Sequence, residues 1–267
     1  MTRREDIPVV ILAGGLGTRL REVTENVPKP LVEIGEKPIL WHIMKLYSDH
    51  GFKRFILCLG YKSWLIKQFF LSYREQILDF TLELGSGADP RFENTNGDED
   101  WTITFAETGL HTMTGGRLWR VRDYIDTDTF MFTYGDGIGA VDIGALLDFH
   151  EARGRIATVT GVHPTSRYGE MDVHDGCAVS FNEKPANDGF VSGGFFVLNR
   201  EFFDYMNDDP GLYFEHEPLK TCARDGELSV YEHRGFWMGM DTYRDYKELN
   251  QLWASGKAPW ANSFAIV

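Results

Sequence analysis

The first apolar run, Val9 to Ala13, constrains this chain more than any other feature, because it ends directly on Gly14-Gly15-Leu16-Gly17-Thr18-Arg19. A short continuous apolar run bounded by glycines is the pattern of a strand buried on both faces, as strands of a parallel sheet are. A glycine loop straight after such a strand sets backbone amides at the carboxyl edge of the sheet, where α/β folds bind ligands. The loop lacks the lysine and spacing of a Walker A sequence, and Leu20 stands where a dinucleotide fingerprint has its third glycine. Taken alone it fits a tight strand-to-helix turn equally well.

The residues that follow repeat the alternation of strand and helix. Pro38 to His50 carries Leu40, Ile43, Met44, Leu46 and Tyr47 at helical spacing, with Gly51 at its end. Arg54 to Leu59 predicts a strand, Ser63 a cap for a helix through Tyr73, Thr102 to Ala106 a strand, and Thr129 to Tyr134 another that ends at Gly135-Asp136-Gly137. This order predicts right-handed βαβ units: an α/β fold with a parallel sheet and helices on both faces. The second half changes character, with Ile156 to Val162, a hairpin of Met171–Val173 and Val179–Phe181 around His174-Asp175-Gly176, then Val191 to Leu198, so an antiparallel or mixed portion is expected there. The stretch from Gly85 to Asp100 is a long polar loop, readable as a lid, an oligomer arm or simply a disordered segment. No repeat or low-complexity linker interrupts the chain, which predicts one domain over residues 1–267 with the mixed half beginning near residue 141.

Composition limits the partners. Across 267 residues, 27 Lys+Arg against 40 Asp+Glu give a net charge of −13, which argues against nucleic acid or an anionic membrane as the main partner. No apolar run approaches the roughly 18 residues of a membrane span, and the start Met-Thr-Arg-Arg-Glu-Asp is unlike a signal peptide, so the expectation is a cytoplasmic protein. Cys58, Cys177 and Cys222 form no C-x-x-C pair and read as reduced thiols. The histidines show no zinc spacing, so any metal here is expected to be held by oxygen, which points to Mg²⁺.

Several residues gain meaning together. Pro28-Lys29-Pro30 fixes the backbone on both sides of one lysine, and Arg19 adds a permanently charged planar fork; together they match a polyphosphate, whereas either alone reads as a solvated cation. Asp136, between two glycines at the end of a buried strand, suits a hydrated magnesium ion, although Asp-Gly is also an ordinary turn. Asp241 is a second candidate, with capping of the helix that starts near Thr242 as its bland role. Glu183-Lys184-Pro185, shortly before Gly193-Gly194, offers a second phosphate grip or else a charged hairpin turn, and the glycines a close approach or a bulge.

Taken in order, Leu12-Ala13-Gly14-Gly15-Leu16-Gly17-Thr18-Arg19-Leu20, Pro28-Lys29-Pro30, Tyr134-Gly135-Asp136-Gly137, Glu183-Lys184-Pro185, Gly193-Gly194 and Met240-Asp241-Thr242 resemble the sugar-1-phosphate nucleotidyltransferases over nearly the whole chain. Lys37 to Met44, Cys58-Leu59-Gly60-Tyr61-Lys62, Thr112 to Arg117 and Gly256-Lys257-Ala258-Pro259-Trp260 look most like the cytidylyltransferase branch. The resemblance implies a Rossmann-like mixed sheet, Mg²⁺, a homo-oligomer, and transfer of a cytidylyl group from CTP to α-D-glucose 1-phosphate, giving CDP-glucose for dideoxysugars of bacterial O-antigens; the alternatives are the same reaction with another nucleoside triphosphate or sugar 1-phosphate, or a non-catalytic nucleotide or sugar-phosphate sensor. It places Leu12, Ala13, Gly14, Gly15, Leu16, Gly17, Thr18, Arg19, Lys29, Thr112, Arg117 and Gly135 on the nucleotide, Asp136 and Asp241 on the metal, and Glu183, Lys184 and Gly194 on the sugar phosphate. Arg19, Lys29 and Lys184 are the implied catalytic cations. Met238 departs from the glutamine that the family often shows before Met-Asp-Thr.

Overall fold

Alternate residues of the first strand, Pro8–Leu12 (β1), serve opposite cores: Val9 and Ile11 join one buried cluster and Val10 the other. That split is what a strand in the middle of a sheet, covered on both faces, requires. The computed structural model describes residues 2–18, 20–85, 87–93, 99–163, 170–174, 177–182 and 189–261. Its central sheet adds Arg54–Leu59 (β2), Thr102–Glu107 (β3), Thr129–Tyr134 (β4), Ala157–Val162 (β5), Val191–Asn199 (β6) and Leu228–His233 (β7). The spatial order is β7-β5-β6-β4-β1-β2-β3. All neighbours run parallel except at β6, which is antiparallel to both β4 and β5. The expected mixed, mostly parallel sheet is therefore present, with its irregularity confined to one strand.

Helices cover both faces. Ile39–Asp49 (α1) and Ile143–Arg153 (α3) contribute Ile43, Met44, Ile143 and Leu146 to the first cluster, and Thr114–Arg120 (α2) and Glu217–Arg224 (α4) contribute Leu118 and Cys222 to the second. The last helix, Tyr243–Ala254 (α5), adds Leu249 to the first. The hairpin of Glu170–His174 with Cys177–Asn182 forms as expected, its turn lying outside the described residues. Within the long polar stretch, Arg91–Phe92 pairs with Phe80–Thr81.

Two expectations need correction. Ser63 does not cap its helix: Lys62 holds the N-cap position with φ 49°, and the helix Ser63–Leu71 breaks before a separate turn, Tyr73–Ile77. The Ser63 hydroxyl bonds Glu107 instead. Asp241 is likewise not the cap of α5, because Thr242 accepts from the Asp245 N–H and the Asp245 side chain returns to the Thr242 N–H in a capping box. The Asp241 carboxylate is thereby left to another task.

Candidate active site

A cleft of about 410 Å³ opens at the carboxyl ends of β1 and β4, lined by Gly14 to Thr18, Lys29, Leu110 to Thr114, Arg117, Tyr134, Gly135 and Asp136. The ends of the two strands are tied where the Gly135 N–H donates to the Leu12 carbonyl at 3.0 Å. The glycine loop leaves β1 with Gly17 at φ +63°, a conformation that a side chain would strain. Among the described residues, the amides of Gly15, Leu16, Gly17 and Thr18 have no hydrogen-bond partner in the protein, so the cleft is walled by consecutive donors. Such a row of amides is an anion site.

Arg117 lies against this loop and is 5% exposed. Its guanidinium donates to the carbonyls of Gly14 at 3.0 Å, Leu59 at 3.0 Å and Leu110 at 3.3 Å and to the Thr108 hydroxyl at 2.7 Å. The fit is close: a Cβ on Gly14 would fall 2.1 Å from Arg117 Nη1. Burial lowers the Arg117 pKa from its ordinary value, and the four acceptors suit the charged form. Thr112 is also buried in the cleft wall, its hydroxyl accepting from Arg120 at 3.0 Å.

The candidate metal carboxylates come together through a small antiparallel ribbon. Gly137–Gly139 pairs with Trp237–Gly239, and the Met240 N–H donates to the Asp136 carbonyl at 2.9 Å. Asp136 precedes one strand of the ribbon and Asp241 follows the other, so their side chains meet although 105 positions, 241 minus 136, separate them. Lys29, on the turn Lys29–Leu31 with Pro28 before it, places its ammonium 2.8 Å from Asp136 Oδ2 and 3.0 Å from Asp241 Oδ1. The lysine is 11% exposed and the carboxylates about 40%, so both partly exposed carboxylates rest on a largely buried cation, and Asp136 lines the cleft. Lys29 thus stands with the carboxylates. Met238 pairs with Ile138 in the ribbon and packs against the first core cluster.

Two carboxylates with open faces fit a hard divalent ion that keeps waters and takes phosphate oxygens. Among the described residues no cluster of three or more His, Cys, Asp or Glu is placed to hold a metal ion. Arg19, Glu183 and Lys184 lie outside the described residues. Gly194 is described and lies in a bulge of β6, where three residues, Gly193 to Phe195, stand opposite Thr160 between the Val159–Phe196 and Gly161–Ser192 pairs. Sequence reasoning missed Tyr134 and Thr114 as cleft residues, although Tyr134 ends the strand that leads into Gly135-Asp136. It also missed Glu215, which no local pattern marks.

The fold, the amide-walled cleft and the paired carboxylates at a strand end describe an enzyme of nucleotidyl transfer, and the chain belongs to the nucleotidyl transferase family, whose model matches residues 8–255. Over 254 residues it is 51% identical to glucose-1-phosphate cytidylyltransferase of Salmonella typhimurium (strain LT2), covering 94% of this chain and 97% of that protein. It is also 47% identical to a probable glucose-1-phosphate cytidylyltransferase of Bacillus subtilis (strain 168), covering 94% and 98%. Among solved structures, a putative glucose-1-phosphate thymidylyltransferase from Bacillus anthracis in complex with a sucrose superposes with a TM-score of 0.69 at 18% identity, over 92% of this chain and 94% of that one, which shows the shared fold.

Proposed function

We propose that this chain transfers a cytidylyl group from CTP to α-D-glucose 1-phosphate, releasing pyrophosphate and forming CDP-glucose. The observation that carries the reading is the Asp136–Lys29–Asp241 cluster beside the amide-lined loop, on a chain about half identical to enzymes of that name. The chemistry is a problem of charge, since a phosphate dianion must approach a phosphorus atom already surrounded by anionic oxygens. Positioning and electrostatic neutralisation do the catalytic work, and the ionised nucleophile needs no general base.

The free amides of Gly15 to Thr18 would receive the triphosphate, with Leu12, Ala13, Gly14, Thr112 and Gly135 shaping the nucleotide cleft. Arg117 would act on the nucleotide through the loop it holds as well as from the cleft wall. Asp136 and Asp241 would hold Mg²⁺, which when bound would supply positive charge against the phosphates gathered there. Lys29 pairs with both carboxylates and would share the charge of the departing pyrophosphate. Arg19 would share that departing charge, and Glu183, Lys184 and Gly194 would face the sugar phosphate, Lys184 holding the nucleophile. CDP-glucose made in this way would enter dideoxysugar synthesis.

Incubation with Mg²⁺, α-D-glucose 1-phosphate and each of CTP, dTTP, UTP, ATP and GTP tests the assignment. CDP-glucose formed from CTP, identified by mass, is the expected result. Turnover with another triphosphate and none with CTP would overturn the cytidylyl reading.

A further inference from the structure

Glu215 lies behind two residues of the cleft wall, Thr114 and Tyr134, with a carboxylate that the mechanism above does not use. The segment that carries it lies over the start of α2, where the Met113 and Gly116 N–H groups donate to the Pro210 and Leu212 carbonyls at 2.8 and 3.1 Å. Two hydroxyls that line the cleft both turn their protons to this carboxylate: Thr114 Oγ1 donates to Oε2 at 2.7 Å and Tyr134 Oη donates to Oε1. Thr114 Oγ1 also accepts from the Phe214 N–H at 2.9 Å, which fixes the arrangement.

A phenol has one proton, and that of Tyr134 is engaged, so its oxygen can meet a ligand only as an acceptor. Phosphate oxygens, all acceptors, are the wrong partner for such an atom. The Tyr134 ring packs on the Gly194 backbone, where φ is +79° and a Cβ would come within 2.5 Å of ring atom Cδ2. The phenol therefore belongs to the side of the cleft on which the sugar phosphate is placed.

We infer that Tyr134 accepts a hydrogen bond from a hydroxyl of the hexose phosphate and that Glu215 is the positioning residue that sets its polarity. The inference rests on the proposed sugar 1-phosphate substrate. It predicts selection for a hydroxyl at one position of the sugar ring.

The test is steady-state kinetics with CTP and α-D-glucose 1-phosphate or its 2-, 3-, 4- and 6-deoxy analogues, for wild type, Tyr134→Phe and Glu215→Gln, each checked for folding by circular dichroism. Wild type is expected to lose about 10- to 100-fold in kcat/KM with one analogue. Tyr134→Phe, which keeps the ring against Gly194, should lose a similar factor on glucose 1-phosphate, lose nothing further on that analogue, and leave the KM for CTP unchanged. Glu215→Gln should behave alike, because an amide can donate to the phenol oxygen and turn its proton towards the cleft. A rise in the KM for CTP alone, which would assign the contact to the cytosine amino group, overturns the inference. So does an equal loss with every analogue in Tyr134→Phe, the mark of a structural role. Wild-type silence on glucose 1-phosphate with turnover of another sugar phosphate would instead overturn the substrate reading, and this inference with it.

Discussion

Arg117 holds the glycine loop from beneath, and its chemistry explains why an arginine is needed. One planar fork reaches three carbonyls on separate segments and a hydroxyl, all buried except the part-buried Leu110 carbonyl. A lysine offers a point charge with no fork and would leave several of these groups without a donor. Each buried polar group left unsatisfied costs about 1–3 kcal/mol. Arg117→Lys is therefore expected to lower the urea midpoint by the equivalent of about 2–4 kcal/mol and, in the fraction that folds, to raise the KM for the nucleotide. An unchanged midpoint would mean that the loop does not depend on the guanidinium. Cys58, whose thiol lies 3.9 Å from the Arg117 carbonyl, is pushed up to about 12 by burial and is correspondingly inert.

At the scale of elements, the strands were legible because burial on both faces writes itself as a continuous apolar run. Arg54–Leu59 and Thr129–Tyr134 match their predicted bounds, and the helix predicted from Pro38 spans Ile39–Asp49. The ribbon of Gly137–Gly139 with Trp237–Gly239 was not legible, since two three-residue strands far apart in sequence carry no periodicity. The candidate metal pair was therefore named from residue type and resemblance, while its geometry depends on that ribbon and on the cap of α5. The Asp245 carboxylate accepts from both the Asp241 and Thr242 N–H groups, at 3.1 and 2.8 Å, so the cap also fixes the backbone of Asp241. Thr242→Ala should cost about 1 kcal/mol of stability in thermal unfolding. It should also weaken Mn²⁺ binding, measured by electron paramagnetic resonance, although Thr242 itself need not touch the ion. Loss of stability with full Mn²⁺ affinity would separate the cap from the site.

The whole molecule closes around His42 on α1. Its Nε2–H donates to the Ile34 carbonyl at 2.9 Å, its Nδ1 accepts from Trp260 Nε1 at 3.4 Å, and the ring meets Trp253 edge-on at 4.7 Å, so the segment before α1 and the residues at and beyond the end of α5 meet on one imidazole. Burial, against the pull of the Ile34 and Lys37 carbonyls, lowers its pKa from 6.5 to about 4. Between those values the unfolded chain binds the proton that the folded chain refuses, so stability falls as pH drops from about 6.5 towards 4. The slope expected from this one group is at most about 1.4 kcal/mol per pH unit, and it should be missing from His42→Gln in paired urea titrations across that window. Parallel curves for the two proteins would remove His42 as the source. No helix among the described residues is long and apolar enough to cross a membrane.

At this scale the α/β class followed from the alternation of elements, whereas the strand order and the single reversed strand did not, because pairing between distant strands leaves no mark in local pattern. In the proposed reaction, Asp136, Lys29 and Asp241 form the reaction centre. Pyrophosphate release from CTP and α-D-glucose 1-phosphate by Asp136→Asn, which keeps side-chain size and removes the charge, tests it most directly. A fall in kcat of about 10² to 10³ or more, with CTP binding retained in calorimetry and an unchanged circular dichroism spectrum, is the predicted result. Turnover within twofold of wild type would contradict it.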